Sequence, residues 1–129
     1  LKNFKPNSAV TDASHFLTEL KARLVTPLVF FCTAPVCKGL KALCKLGFTH
    51  RNLTEYLLAL EPSDFVQGPL LVADDMPPLW VFGRNIYTSE LRVEAYLGPL
   101  DHPYACIAYS LAERPMTYPL RQLAPKRNP

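Results

Sequence analysis

The sequence predicts an α+β domain in which helices pack on one face of a small, mostly antiparallel sheet. Three observations predict it. Apolar residues recur at the helical period in the first half, as Phe16, Leu17, Leu20 and Leu24 and again as Leu53, Tyr56, Leu57 and Leu60. The second half switches to period two, with Leu91, Val93, Ala95 and Leu97 on one side and Glu90, Arg92, Glu94 and Tyr96 on the other. Helical patterns mostly precede strand patterns, an order that separates helices from sheet as α+β chains do.

The elements follow in chain order. Residues 1–10 read as an extended arm. Asp12 is placed to cap a first helix, which Pro27 ends. Leu28 to Phe31 is a short buried strand. A second helix spans Val36 to Leu46, with Lys38, Lys41 and Lys45 away from its apolar face and Gly47 as its left-handed stop. Thr49 caps a third helix that runs to Glu61-Pro62, and Ser63-Asp64-Phe65 starts a single turn. Residues 66–78 read as a loop with Gly68, Pro69, Pro77 and Pro78. Leu79 to Tyr87, Glu90 to Leu97 and Tyr104 to Ser110 are strands. The two-residue Thr88-Ser89 link makes the first two an antiparallel hairpin. Residues 121–129 form a basic, loosely held tail. The sheet face away from the helices is expected to display Arg92, Glu94, Tyr96 and Ser110, while Trp80 and Phe82 anchor the core.

Composition limits the function classes. A chain of 129 residues that is 49% hydrophobic is a single domain, 1–129, with ample material for one core. Fourteen basic against eleven acidic residues leave +3, which permits nucleic-acid contact without demanding it. No apolar run approaches the roughly 20 residues of a membrane helix, and no signal-peptide pattern is present. The expected compartment is a reducing cytoplasm. The four cysteines, Cys32, Cys37, Cys44 and Cys106, contain no C-x-x-C pair, and Cys44 and Cys106 read as small apolar core residues. Cys32, Cys37, Cys44 and His50 fit no common zinc spacing, and the adjacent side chains of Asp74 and Asp75 point apart. No metal and no cofactor is expected. Ser110 has no histidine near it in sequence, so a serine nucleophile is not supported.

A string of short motifs runs from about Val10 to Pro119. It comprises Leu46-Gly47-Phe48-Thr49, Asp64-Phe65, Gly68-Pro69-Leu70, Trp80-Val81-Phe82-Gly83-Arg84, Glu90-Leu91, Cys106-Ile107, Ala112-Glu113-Arg114-Pro115 and Tyr118-Pro119. In order and spacing this string resembles the MqsR-type toxins (motility quorum-sensing regulator), relatives of the RelE-like ribonucleases. The resemblance implies a RelE-like fold, a metal-independent endoribonuclease of the hydrolase class, and a substrate of messenger RNA, free or on the ribosome. It also implies a cognate antitoxin as partner. In such enzymes the ribose 2′-OH attacks the adjacent phosphate, basic residues hold the developing charge, and a base and an acid move protons.

Several positions depart from the family pattern. Arg92 and Glu94 stand where the family strand carries Tyr and Lys, and Ala108-Tyr109-Ser110 replaces Ser-Phe-His. The family's early arginine and Lys-Asn pair become Cys32 through Cys37, with Lys38 the basic residue there. Two readings stay open. In a rebuilt catalytic site, Arg84, Arg92 and Arg114 hold phosphate and Glu94 is the base, with Lys38, Tyr96, Ser110 and Tyr118 binding substrate. In a degenerate site, the fold survives as a module that binds RNA or a protein partner.

Overall fold

The computed structural model describes residues 6–26, 29–32, 47, 50–86 and 89–121. Among these residues two α-helices, α1 (Pro6–Leu24) and α2 (His50–Leu58), accompany five strands: β1 (Val29–Cys32), β2 (Phe65–Leu70), β3 (Leu79–Ile86), β4 (Ser89–Leu97) and β5 (Ala105–Leu111). The sheet order is β1-β5-β4-β3-β2. Strands β2 to β5 pair antiparallel with their neighbours, and β1 joins the edge parallel to β5. The α+β architecture, with helices on one face of a mostly antiparallel sheet, is therefore as the sequence predicts.

The core lies between the helices and the inner face of the sheet. Ala13, Leu17 and Leu20 of α1 and Leu53 and Leu57 of α2 are fully or almost fully buried against Phe82, Leu91, Val93, Ala95, Ala105 and Ile107. Phe16 stacks on Trp80 at 4.9 Å between ring centroids and on Phe82 at 5.9 Å, and Phe65 meets both edge-on. Burying each large side chain of this kind contributes about 1.5–3 kcal/mol.

Four expectations need correction. The chain is not an extended arm up to residue 10, because α1 begins at Pro6. Proline suits a first helical turn, where its missing N–H has no partner to lose. Asp12 consequently lies inside α1 rather than capping it. Residues 66–70 are strand, not loop. Gln67 pairs with Val81 and Leu70 with Leu79, and the irregular register passes through Gly68 at φ +141°, where a side chain would be strained. Cys106 is not a core residue, because it alternates with Ala105 and Ile107 and so lies on the outer face opposite Tyr96. The Val36–Leu46 helix with Lys38 and Cys44, the Thr49 cap and the tail beyond residue 121 lie outside the described residues.

Cations tie the helices to each other and to the sheet. Lys21 donates to the Leu60 carbonyl at 2.6 Å and Arg84 to the Ala59 carbonyl at 2.9 Å. Together they satisfy carbonyls just past the end of α2, where the helix dipole favours positive charge. Arg23 is buried near the end of α1. Its Nε donates to Glu19, and one terminal nitrogen donates to the carbonyls of Gly98 at 2.7 Å and Tyr104 at 2.9 Å. The turn between β4 and β5 is thereby fixed to α1. Gly98 is required there because a Cβ would fall on the Tyr104 ring.

Arg23→Ala leaves buried carbonyl oxygens short of a donor, at ~1–3 kcal/mol each. Urea unfolding should show a loss of about 3 kcal/mol as a lower midpoint with unchanged slope, and Arg23→Lys should recover part of it.

Candidate functional site

The outer face of the sheet is built by alternation. Gly83 of β3, Arg92 of β4 and Ser110 of β5 lie in register, as do Val81, Glu94 and Ala108. Arg92 and Glu94 share this face two residues apart on one strand, and they pair directly. Both the Nε and a terminal nitrogen of Arg92 lie 3.0 Å from Glu94 Oε2. The pairing is within β4, not across strands.

Residues 112–121 turn back across this face. The Ala112 N–H donates to the Glu90 carbonyl at 2.8 Å. The Glu90 carboxylate then accepts from the Met116 N–H at 2.9 Å and from the Tyr118 hydroxyl at 2.7 Å. The segment lies so close to β3 that a Cβ on Gly83 would strike Met116 and Tyr118. Arg121 closes it. Its guanidinium sits 3.7 Å from the Tyr118 ring centroid and donates to the Ser63 carbonyl and to Asp64. Arg121 is thus anchored, contrary to the loose tail expected from that residue onward.

Between this segment and the sheet runs an open groove of about 490 Å³, lined by Val66, Gln67, Arg92, Arg114, Met116 and Thr117 among others. A second hollow of about 340 Å³ lies along Asn85, Ser89 and Glu90. Ala112 to Pro115 wall both. Arg114 is exposed, and among the described residues it makes no ion pair with Glu113 or any other acid.

The residues singled out in the sequence divide by position. Arg92 and Arg114 line one groove, Glu94 holds Arg92, and Ser110 is the cross-strand neighbour of Arg92. Tyr96 lies on the same face but four residues along β4, about 13 Å away at the strand rise. Tyr118 is buried, with its hydroxyl on Glu90 and its ring beneath Arg121. Arg84 is not with the others. It follows Gly83 and so points to the helix face, where its guanidinium reaches Ala59, lies 3.8 Å from Asp64 and approaches the Tyr56 ring. Lys38 lies outside the described residues.

Glu90 and Asp64 are the site-building residues that the sequence reading missed as such. Asp64 is 5% exposed and accepts from the Glu61 N–H at 2.8 Å and from Arg121 at 3.1 Å. A glycine inside a strand signals close backbone approach, and Gly83 is the mark in the sequence that another segment crosses there. Among the described residues no group of acidic, histidine or cysteine side chains could hold a metal, and no helix is long and apolar enough to cross a membrane.

Burial raises the pKa of the Tyr118 hydroxyl above its ordinary value, and its hydrogen bond to the Glu90 carboxylate raises it further. Burial likewise raises Tyr56, aided by the nearby charge of Asp64. Comparisons with protein-family models, with curated proteins and with solved structures each find no match.

Above pH 10 an unfolded tyrosine loses its proton, whereas these two keep theirs in the fold. The native state then binds more protons, so stability is complete below about pH 10 and falls as pH rises beyond it. Chemical unfolding from pH 8 to 11.5 should show that decline. Tyr118→Phe should be less stable at pH 8, by about 1–3 kcal/mol, because it strips a donor from Glu90, and should decline less steeply above pH 10.

Proposed function

We propose that the chain is the toxin component of a type II toxin–antitoxin pair of the MqsR kind, acting on messenger RNA in the groove between β4 and residues 112–117. The observation that carries this reading is the convergence of Arg92 and Arg114 on one open groove, with Glu94 and Ser110 beside Arg92. The motif string resembling those toxins supplies the activity class. In this mechanism Arg114 and Arg92 face the scissile phosphate and offset the charge that grows on it as the 2′-oxygen attacks and the P–O5′ bond breaks, leaving a 2′,3′-cyclic phosphate and a 5′-oxygen that takes its proton from water. Glu94 accepts the 2′-hydroxyl proton through Oε1, the oxygen that Arg92 leaves alone. No cofactor takes part. An antitoxin protein silences the domain in the cytoplasm by covering this face.

Two observations favour a second reading, binding of RNA without cleavage. Arg92 is already neutralised by Glu94, and among the described residues neither a lysine nor a histidine lines the groove to serve as acid.

The deciding experiment is induction in a host lacking the antitoxin, with growth and messenger RNA followed together. Under the first reading, growth arrests and RNA is cut, and Glu94→Ala lowers cleavage by roughly 100-fold or more, the usual contribution of a general base. Intact RNA with folded protein, together with salt-sensitive RNA binding that Arg114→Ala weakens, selects the second.

A further inference from the structure

We infer that the two hollows form paired subsites for adjacent nucleotides of single-stranded RNA, with Arg114 at the phosphate that links them. This rests on the proposed RNA-directed function and adds to it the number of nucleotides held and what each hollow recognises.

The shape carries the first step. The hollows of about 490 and 340 Å³ share the wall Ala112 to Pro115, and Arg114 lines both. Each lies toward the small end of the ~300–1,000 Å³ range of small-ligand sites, so each suits a compact group rather than a helix or strand of a partner. A cation at the junction of two such hollows matches two compact groups joined by one anion. A phosphodiester between two nucleosides has that form, and a peptide backbone has no charge at the link.

The linings carry the second step. The larger hollow offers the apolar sides of Val66, Met116 and Pro115 to a base plane, with the Gln67 amide and Thr117 hydroxyl for its edge. The smaller is polar, with Asn85, Ser89 and two carboxylates, Glu90 and Glu113. Glu90 is occupied in holding Met116 and Tyr118. Glu113 is exposed and forms no ion pair among the described residues. A carboxylate accepts from an amino-bearing base edge and repels a second phosphate. The smaller subsite therefore prefers cytosine, adenine or guanine over uracil and ends the contacted stretch.

The test uses fluorescein-labelled tetraribonucleotides with 2′-fluoro sugars, which lack the hydroxyl needed for self-attack, and fluorescence polarisation of the full chain. Replacing the central phosphodiester by a neutral methylphosphonate should weaken binding about tenfold, and replacing an outer one should have far less effect. Arg114→Ala should weaken the phosphodiester probe by the same factor and leave the methylphosphonate probe unchanged. It should also reduce the slope of log K against log salt by about 0.7. Glu113→Gln should erase discrimination against uracil while keeping the slope. Equal sensitivity to every linkage, or additive effects of the neutral linkage and Arg114→Ala, would overturn the inference. If longer RNA still bound through Arg92 in that case, the proposed function would stand without paired subsites. Failure of all RNA to bind would remove both.

Discussion

The candidate site exists because Glu90 is doubly engaged. One carboxylate oxygen takes the Met116 N–H and the other the Tyr118 hydroxyl, while the Glu90 main chain takes the Ala112 N–H. Hydrogen bonds to an ionised acceptor contribute about 1.5–3 kcal/mol each, enough to turn a proline-rich segment back across a sheet it would otherwise leave. Arg121 on Asp64 fixes the far end. With both ends held, the loop between them stands against Arg92, and a groove forms where a bare sheet face would be. Gly83 makes the close approach possible, since any side chain there would occupy the space of Met116 and Tyr118.

Arginine in this fold is chiefly an internal donor. Arg23 binds two carbonyls of the β4–β5 turn, Arg84 a carbonyl just past α2, and Arg121 a carbonyl and a buried carboxylate. The planar guanidinium presents several donors in a fixed fork, which suits it to gather carbonyls from separate elements. A tally of arginines along the sequence therefore does not locate an anion site. Arg114 differs because the loop that carries it is held on either side by other residues, so its own side chain has no structural partner among the described residues.

Much of the fold was legible in the sequence because burial leaves a period. The 2.0 repeat from Glu90 to Leu97 announced both faces of β4, and the 3.6 repeats announced the buried sides of α1 and α2. The missed strand, β2, carries Gly68 and Pro69, and its pairing with β3 shifts register there. Its signal is that of a loop although its main chain completes an edge. Half the site was legible in the same way: Arg92, Glu94 and Ser110 follow from alternation alone. Placing Arg84 with them ignored that same alternation, since Arg84 follows outward-facing Gly83 and must face the helices. Glu90 belongs to the Glu90-Leu91 motif, but its role depends on contacts 26 and 28 residues away. No local pattern encodes a pairing at that separation.

The electrostatics of the groove bear on how such a domain would find its substrate. The chain carries +3 overall, Arg92 is balanced by Glu94, and Glu90 and Glu113 border the smaller hollow. A surface that recruits RNA by charge commits many cations, and affinity then collapses as salt rises. Here Arg114 alone, among the groove cations described, lacks an acidic partner. On the proposed function, the long-range pull on RNA is weak, and selectivity comes from contacts made after arrival: a base plane on Val66 and Met116, and an amino edge on Glu113. A domain built this way gains from a substrate presented to it, as a ribosome presents messenger RNA. On the proposed function it would also be easily silenced, because a partner that covered one loop would block both hollows at once.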